Sequence, residues 1–447
     1  MHGSGEAASA VLFGLNPMWV AAILFGLTYV VVMTEKINRA IVSLLAAGLM
    51  IVLGILNQEA AIRGIDFNTI GLLIGMMVIV AITRQSGIFQ FLAIWAAKKV
   101  DARPWGILVM ISLVTAVTSA FLDNVTTVLL VVPVTLLITE ELKVNPYPYL
   151  FSMIFFSNIG GTATLIGDPP NIMIGSATGL TFNDFAYNLA PVVVVIMAVT
   201  LVPIYFIWGR QLAATDANRQ RVMQFDEYGA ITDPRLLKQC LFVIGLVVAG
   251  FVGARFLGLE AATVAMTGAA LLLLLANLGR DAEHQSKHVL EAFNEVEWIT
   301  IFFFVGLFIV VHGVDGTGLL KLLADKMLAL TGGDLNATAM VILWSSAILS
   351  AIIDNIPFVA TMIPLIKAMA PTFGGPEGLL PLWWALSLGA CLGGNGTLIG
   401  ASANLVVAGF AERAGQPIRF VQYTLMAFPI MLLSIAISTV YLYWRYL

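Results

Sequence analysis

Three aspartates stand inside long apolar stretches of the chain, where a charged group is costly. Asp123 and Asp354 are each followed by asparagine, and Asp168 is followed by two prolines. At membrane depth a carboxylate costs about 2.5–3.5 kcal/mol, so such groups usually face a cavity or a partner. A carboxylate can exchange a proton or hold a cation, and this pattern therefore predicts proton or ion coupling. The structural alternative is that each aspartate caps or stiffens the helix that follows it.

Neutral polar side chains cluster in two related stretches and beside two of the aspartates. The stretches, 157–171 and 393–404, contain paired glycines, and the first also contains paired prolines, which favour non-helical backbone. Amides and hydroxyls suit a neutral hydroxylated solute or a weakly held Na⁺, whereas a tightly held multivalent anion would require arginine. Hydrogen bonding that only satisfies backbone groups is the alternative. The predicted substrate ligands are Asn124, Asn158, Thr162, Thr164, Asn171, Asn355, Asn395, Thr397, Ser402 and Asn404.

Four more side chains are candidates for the same chemistry. Arg84 and Asp315 lie 231 residues apart with opposite charges, and one hypothesis is that Arg84 pairs with Asp315 or with another acid. His312, one turn before Asp315, is a candidate proton relay, although an interior hydrogen bond is the favoured interpretation. The Cys391 thiol could bind As(III), but a small buried apolar role is favoured.

The polar motifs occur twice at a nearly constant spacing. Residues 119–124 match 350–355 at an offset of 231, and residues 160–171 match 393–404 at an offset of 233. Interrupted apolar segments in corresponding positions of two halves are typical of transporters with inverted repeats. We predict a first repeat over 1–208, a linker over 209–236 and a second repeat over 237–447.

The composition indicates a membrane protein. Hydrophobic residues make up 60% of the chain and charged residues 11%, with a mean hydropathy of +0.95, which excludes a soluble globular domain. Two cysteines and four histidines without ligand spacing predict neither a disulfide framework nor a metal site. No cofactor, nucleic-acid partner or enzymatic dyad is expected. The predicted fold is an all-α polytopic membrane protein of two inverted repeats with about ten transmembrane helices, broken helices and two re-entrant hairpins.

Apolar runs place the membrane segments and the two hairpins. The hairpins are predicted at 147–180 and 381–412, the first opening outward and the second inward. Four long segments are expected to be interrupted: 69–97, 104–139, 298–330 and 336–371. The full set of predicted spanning segments is 17–34, 40–56, 69–97, 104–139, 191–208, 238–256, 260–278, 298–330, 336–371 and 421–444.

The distribution of lysine and arginine predicts the orientation. An excess of positive residues places 209–236 and 279–297 in the cytoplasm and both termini outside. The N-terminus lacks the basic region of a cleavable signal, so the chain is expected to remain in the cell membrane as a multi-pass protein.

The assembled motifs resemble the ion-transporter superfamily, and within it the ArsB/NhaD group, which includes arsenite-efflux permeases and the melanosomal P protein. The resemblance covers essentially the whole chain. It is carried by Phe121–Thr127, Ser157–Gly161, Gly167–Asn171, Asp354–Pro357 and Gly393–Asn404.

The resemblance implies a scaffold and a transport portion in each repeat, an elevator motion, and a homodimer. It also implies a site formed by the hairpin tips and the Asp-Asn breaks. The second hairpin lacks the Ser-Asn-Thr pattern of sodium-coupled carboxylate carriers, which argues against a dicarboxylate. The expected function is export of arsenite or antimonite in exchange for protons, with a cytoplasmic ATPase as a further candidate partner. A Na⁺/H⁺ antiporter is the alternative.

Overall fold

The computed structural model describes residues 14–34 and 36–447, and the regular elements within these residues are all helices. The predicted all-helical polytopic class is confirmed. In the first half the helices are α1 Pro17–Met33, α2 Arg39–Val52, α3 Gln58–Arg63, α4 Phe67–Arg84, α5 Ile88–Lys99, α6 Pro104–Phe121, α7 Asn124–Leu142, α8 Tyr147–Thr162, α9 Pro169–Thr178 and α10 Phe182–Ile204.

The second half repeats this series after a linker that itself contains a short helix. Eight helices of the described chain are long and apolar enough to cross a membrane, and four shorter ones are apolar as well. The remaining helices are α11 Asp216–Met223, α12 Pro234–Leu257, α13 Ala261–Asn277, α14 Ala282–Asn294, α15 Trp298–Gly316, α16 Leu319–Thr331, α17 Leu335–Ile352, α18 Asn355–Ala368, α19 Leu380–Gly393, α20 Ser402–Arg413 and α21 Phe420–Arg445.

All four predicted interruptions are present. The helix from Phe67 ends at Arg84, and Gly87 starts α5 with a φ of 81°, a left-handed value that favours glycine. Gly318 does the same before α16, with a φ of 82°. Two residues in extended or otherwise non-helical backbone separate α6 from α7 and α17 from α18, and in each case the second is the predicted aspartate.

The linker 209–236 marks one face of the molecule, here called the linker face. Thr232 N donates to Ser86 O at 3.1 Å, which places the end of α4 there. The Arg219 guanidinium donates to Asp101 O at 2.9 Å, just before α6. Asn218 Nδ2 donates to Leu142 O at 3.1 Å, at the end of α7. Because both outer ends of α6 and α7 lie at this face, these two helices form a re-entrant hairpin with Asp123 at its tip.

The pair α8–α9 crosses the molecule instead of returning. Tyr147, at the start of α8, packs against Trp208 next to the linker, with ring centroids 5.8 Å apart. Ser176, near the end of α9, donates to Asp66 Oδ1 at 2.8 Å. Asp66 precedes α4, whose 18 residues span about 27 Å and end at the linker face. The end of α9 therefore lies at the opposite face, here called the far face.

The predicted hairpin assignments are therefore wrong in both halves. Segment 104–139 is the re-entrant hairpin, and 147–180 is a broken crossing helix. In the second half Gly333, before α17, lies against Thr372, after α18, so this pair returns to the face from which it enters. Lys367, near the end of α18, lines one cavity with Asp66, which places that entry at the far face. The segment 381–412 crosses in turn, because α19 starts beside the end of α18, and α20 packs along α7, which ends at the linker face. Glycines, prolines and short polar residues mark a backbone break, but they carry no information on whether the chain turns back after it.

Equivalent helices of the two halves run in opposite directions. Asp66, at the start of α4, lines one cavity with Asp315, at the end of α15. Arg84, at the end of α4, lines another with Glu297, at the start of α15. This is the arrangement that inverted repeats require. Gly306 and Gly313 of α15 lie against Ser43 and Met50 of α2, so α2 also runs toward the far face and α1 starts there. The end of α21 lies at the far face as well, because Arg445 donates to Tyr187 O near the start of α10. The boundaries of the repeats remain a prediction.

Glycines let the helices beside the breaks approach closely. A Cβ on Gly160 of α8 would lie 2.2 Å from Ala116 O of α6, and one on Gly393 of α19 would lie 2.5 Å from Ala347 O of α17. Ser119 Oγ donates to Ser157 O at 2.7 Å across the first contact. These contacts hold the hairpin tips and the breaks of the crossing helices at the same depth in the molecule.

Candidate transport site

Four helix N-termini meet at a small cavity between the two halves, here called the central pocket. The starts of α7, α9, α18 and α20 supply part of its wall, and α2, α4 and the start of α15 supply the rest. Its volume is about 20 Å³, enough for about one water molecule. Its lining residues are Arg39, Leu73, Met77, Asp123, Asn124, Val125, Asp168, Pro169, Glu297, Thr300, Asn355, Ile356 and Ser402.

Arg39 is a site residue that the sequence motifs do not predict, because it lies in a short polar stretch between two apolar runs. Its Nη1 lies 2.9 Å from Asp354 Oδ2 and donates to Ser402 Oγ at 2.8 Å. Its Nη2 donates to Thr300 Oγ1 at 2.9 Å. Arg39 thus adds a cation to a pocket for which neutral amides and hydroxyls were the predicted ligands. The first helix-to-helix loop carries Arg39 to the second repeat's break, a contact that no local pattern predicts.

The three predicted aspartates differ in what they bond. Asp123 Oδ1 accepts from Thr126 N at 2.8 Å, and Asp354 Oδ1 accepts from Ile356 N at 3.1 Å. Both therefore cap the helix that follows, as the structural alternative predicted. Asp168 makes no capping bond and is fully buried. It accepts from Asn355 Nδ2 at 3.2 Å, across the repeat boundary.

A chain of amides joins the halves behind the central pocket. Asn124 Nδ2 donates to Asn158 Oδ1 at 3.0 Å. Asn158 Nδ2 donates to Asn395 Oδ1 and Asn404 Oδ1, both at 3.0 Å. Asn124 and Asn355 thus line the pocket, while the other amides bond to one another within the described structure.

The remaining predicted ligands hold the backbone at the breaks. Asn171 Nδ2 donates to Thr162 O at 3.1 Å and to Thr164 O at 2.9 Å. Asn404 Nδ2 makes the equivalent bond to Thr397 O at 2.9 Å. The hydroxyl groups of these threonines also donate to backbone carbonyls. Ser402 is the one hydroxyl of the predicted set that lines the central pocket.

Arg84 and Asp315 do not meet, and the predicted pair between them is wrong. They lie at opposite faces, as equivalent positions of antiparallel helices must. Arg84 Nη1 instead pairs with Glu295 Oε2 at 2.7 Å, both side chains being about half exposed. Asp315 and His312 lie with Lys367 around a far-face cavity of about 240 Å³.

Cys391 is buried and does not line the central pocket. Its Sγ lies 3.6 Å from Asn171 Oδ1, at weak hydrogen-bonding distance. This position agrees with the favoured structural role.

Glu297 and Thr300 are further site residues that were not predicted. Thr300 Oγ1 lies 3.1 Å from Glu297 Oε2 and 2.9 Å from Arg39 Nη2. A sequence signal was available, because Glu297 and Thr300 stand 231 residues after Asp66 and Thr69. Both acids lie just outside the apolar runs, so apolar length by itself does not mark them.

The net charge around the central pocket depends on how many of its acids are protonated. Each helix N-terminus contributes about half a positive charge, and four of them face the pocket. Arg39 adds one full charge, and Asp123, Asp168, Asp354 and Glu297 can each carry a negative one. With every acid ionised the balance is negative, and protonation of two acids makes it positive.

Comparison with known proteins agrees with a membrane carrier. A family model described as "CitMHS: Citrate transporter" matches residues 29–389. An uncharacterized transporter of Mycobacterium tuberculosis, Rv2684, is 43% identical over 96% of this chain and 98% of its own. The P protein of Homo sapiens is 32% identical over 94% of this chain and 59% of its own. The crystal structure of the Alcanivorax borkumensis YdaH transporter, described as having an unusual topology, shares the fold with a TM-score of 0.58 at 14% identity, covering 96% of this chain and 98% of that one.

Proposed function

Because the chain belongs to the CitMHS citrate transporter family, we propose that it is a secondary transporter exchanging a small hydroxylated solute for protons at the central pocket. The observation that carries the proposal is the meeting of Asp123, Asp168 and Glu297 beside the Arg39–Asp354 pair. Carboxyl groups at membrane depth commonly carry the coupling protons of transporters. We assign this role to Asp123 and Asp168.

Coupling follows from the charge balance of the pocket. When two acids are protonated, the helix N-termini and Arg39 leave a field that favours electron-rich oxygens. When the protons leave, the field reverses and the solute is released. A solute and its protons are thereby linked through one set of groups, and no ATP-driven step is needed within this chain.

Arsenite and antimonite are the first candidate cargoes. As(OH)₃ is neutral and small, and Asn124, Asn355 and Ser402 offer the amide and hydroxyl groups that would hold it. Citrate, named in the family description, carries several negative charges and faces up to four carboxylates here. It would need additional protons or a bound cation to enter.

A Na⁺/H⁺ antiporter is the second candidate, and the excess of carboxyl groups over arginine favours it. Carboxylate and amide oxygens are suitable ligands for a hard cation. Asp123, Asp168 and Glu297 would then exchange one cation for protons.

The deciding experiment uses everted membrane vesicles with an imposed pH gradient. We expect uptake of arsenite or antimonite that stops when the gradient is dissipated, with citrate not competing. Uptake of Na⁺ alone would establish the antiporter instead. Gradient-independent flux with channel-like turnover would overturn the proposal of a coupled carrier.

Orientation and assembly are part of the proposal. The lysine and arginine distribution favours a cytoplasmic linker face in the plasma membrane, with both termini external. A homodimer and a cytoplasmic ATPase partner rest on the family resemblance and are tested by cross-linking in membranes and by co-purification.

A further inference from the structure

Glu297 occupies a position where an acid would cap a helix, but it does not cap. Asp66 is its equivalent in the first half, and Asp66 Oδ1 accepts from Asn68 N and Thr69 N, both at 3.1 Å. Glu297 makes no capping bond to α15. Its extra methylene group carries the carboxyl past the backbone donors, to within 3.1 Å of Thr300 Oγ1. The departure from symmetry indicates a role other than starting the helix.

Glu297 also belongs to two cavities. It lines the central pocket with Asp123 and Asp168. It lines a second cavity of about 40 Å³ with Arg84, Glu295 and Thr126, here called the linker-face cavity. Met77 is the one other residue common to both. Glu297 therefore stands between the central acids and the half-exposed Arg84–Glu295 pair at the linker face.

We propose that Glu297 is the proton relay between the central pocket and the linker face. The inference rests on the proposed function, since a relay is needed only where protons are exchanged. In the relay step, the O–H bond of a protonated Glu297 breaks and the proton passes through water in the pocket to the Asp123 carboxylate. Glu297 then takes a new proton that enters from the solution at the linker face as hydronium, which leaves water in the linker-face cavity. Charge balances, because one acid becomes neutral as the other becomes ionised.

The groups that face Glu297 favour titration near neutral pH. Burial and the nearby Asp123 charge raise the pKa of Glu297, which stands just before the membrane-spanning helix, to about 7, against the opposing effects of Thr300 and Arg39. Asp168 faces the same pocket. On the other side stand Arg84 and Glu295, which neutralise each other.

The test compares Glu297→Gln, Glu297→Asp and the control Glu291→Gln in proteoliposomes loaded with arsenite or Na⁺. Glu291 is exposed on α14, outside both cavities. In Glu297→Gln we expect gradient-driven uptake to fall about 100-fold, the lower end of what a positioned proton-transferring group contributes. Solute counterflow needs no net proton transfer, so it should fall far less than gradient-driven uptake. Glu297→Asp should behave like the glutamine variant, because the shorter acid can cap α15 as Asp66 caps α4. Glu291→Gln should match wild type.

Two outcomes would overturn the relay. Gradient-driven uptake of Glu297→Gln equal to that of Glu291→Gln would do so, and so would an aspartate variant more active than wild type. If wild type carries neither arsenite nor Na⁺, the proposed function fails, and infrared difference spectroscopy still decides the relay. A protonated-carboxyl band that titrates near pH 7 and is lost in Glu297→Gln is expected. A wild-type spectrum unchanged by this substitution removes Glu297 from proton exchange.

Discussion

The aspartates in and beside the central pocket differ in the hydrogen bonds that their carboxyl oxygens already accept. Asp123 and Asp354 hold helix starts in place, and Asp354 also pairs with Arg39. Asp168 accepts one amide donor and makes no helix-capping bond. Among the three predicted aspartates, Asp168 is therefore the one whose protonation state can change with the least disturbance of the fold.

Replacing Asp168 with asparagine should separate coupling from folding. The amide has nearly the same shape, so we expect a change in the free energy of unfolding of no more than about 1 kcal/mol. Gradient-driven uptake should fall about 100-fold, because the buried proton-carrying group is gone. Uptake and thermal unfolding in detergent measure the two effects, with Asp325→Asn on exposed α16 as control. Full gradient-driven uptake in the Asp168 variant would assign the proton to another acid.

Arg39 and Asp354 should behave as an energetic unit. Their side chains are 24% and 14% exposed, so the pair is mostly shielded from water. Arg39→Gln should destabilise the protein by about 3 kcal/mol, since it leaves a mostly buried carboxylate without its partner. Adding Asp354→Asn should recover at least about 1 kcal/mol of this loss. Thermal unfolding of both single variants and the double variant gives the coupling energy, and purely additive effects would contradict the pair.

At the scale of helices, the breaks are positioned by backbone contacts rather than by side-chain chemistry. Gly160 and Gly393 allow α8 and α19 to touch their neighbours, and amides then hold the open backbone. The arrangement appears in both halves with the same types of residue. Close backbone approach is thus a condition for the pocket, although neither glycine lines it.

Adding one methyl group at either contact should damage the fold. In Gly160→Ala the new carbon would lie 2.2 Å from Ala116 O, and in Gly393→Ala 2.5 Å from Ala347 O. The helices must move apart, at a cost of about 1–3 kcal/mol or more. Gly48→Ala in α2 is the matched control, because nothing lies within 4 Å of its added carbon. Size-exclusion profiles and thermal unfolding should show loss in the first two variants and none in the third.

At the scale of the whole molecule, the two hairpins enter from opposite faces and the broken helices cross. Along this corrected path Lys143, directly after α7, lies at the linker face. The number of crossings is unchanged, since one segment of each half gains a crossing as the other loses it. The predicted sides of the linker and of residues 279–297 are unaffected.

Cysteine labelling tests the corrected path directly. In a Cys240→Ser, Cys391→Ser background, cysteines at Lys143, Asp216 and Lys321 probe three exposed positions. We expect an impermeant reagent to label Lys143→Cys and Asp216→Cys from the same side of the membrane, and to label Lys321→Cys from the opposite side. Labelling of Lys143→Cys together with Lys321→Cys would restore the crossing assignment of 104–139.

Much of the fold follows from local chemistry. Apolar length predicts helices that can cross a membrane, and the repeated spacing of 231 to 233 residues predicts two related halves. Glycine, proline and aspartate predict every interruption, because each disfavours a continuous helix or caps a new one. The identity of Asp123, Asp168, Asn124, Asn355 and Ser402 as pocket residues follows from the same signals.

Direction and distant contact required the tertiary structure. A break is encoded by its own residues, but whether the chain returns or continues depends on which neighbouring helix packs against the next segment. Arg39 reaches Asp354 across 315 residues, and Glu297 enters the pocket because its longer side chain misses the helix start that Asp66 caps. Such contacts depend on packing between helices far apart in the chain, and no local pattern records them.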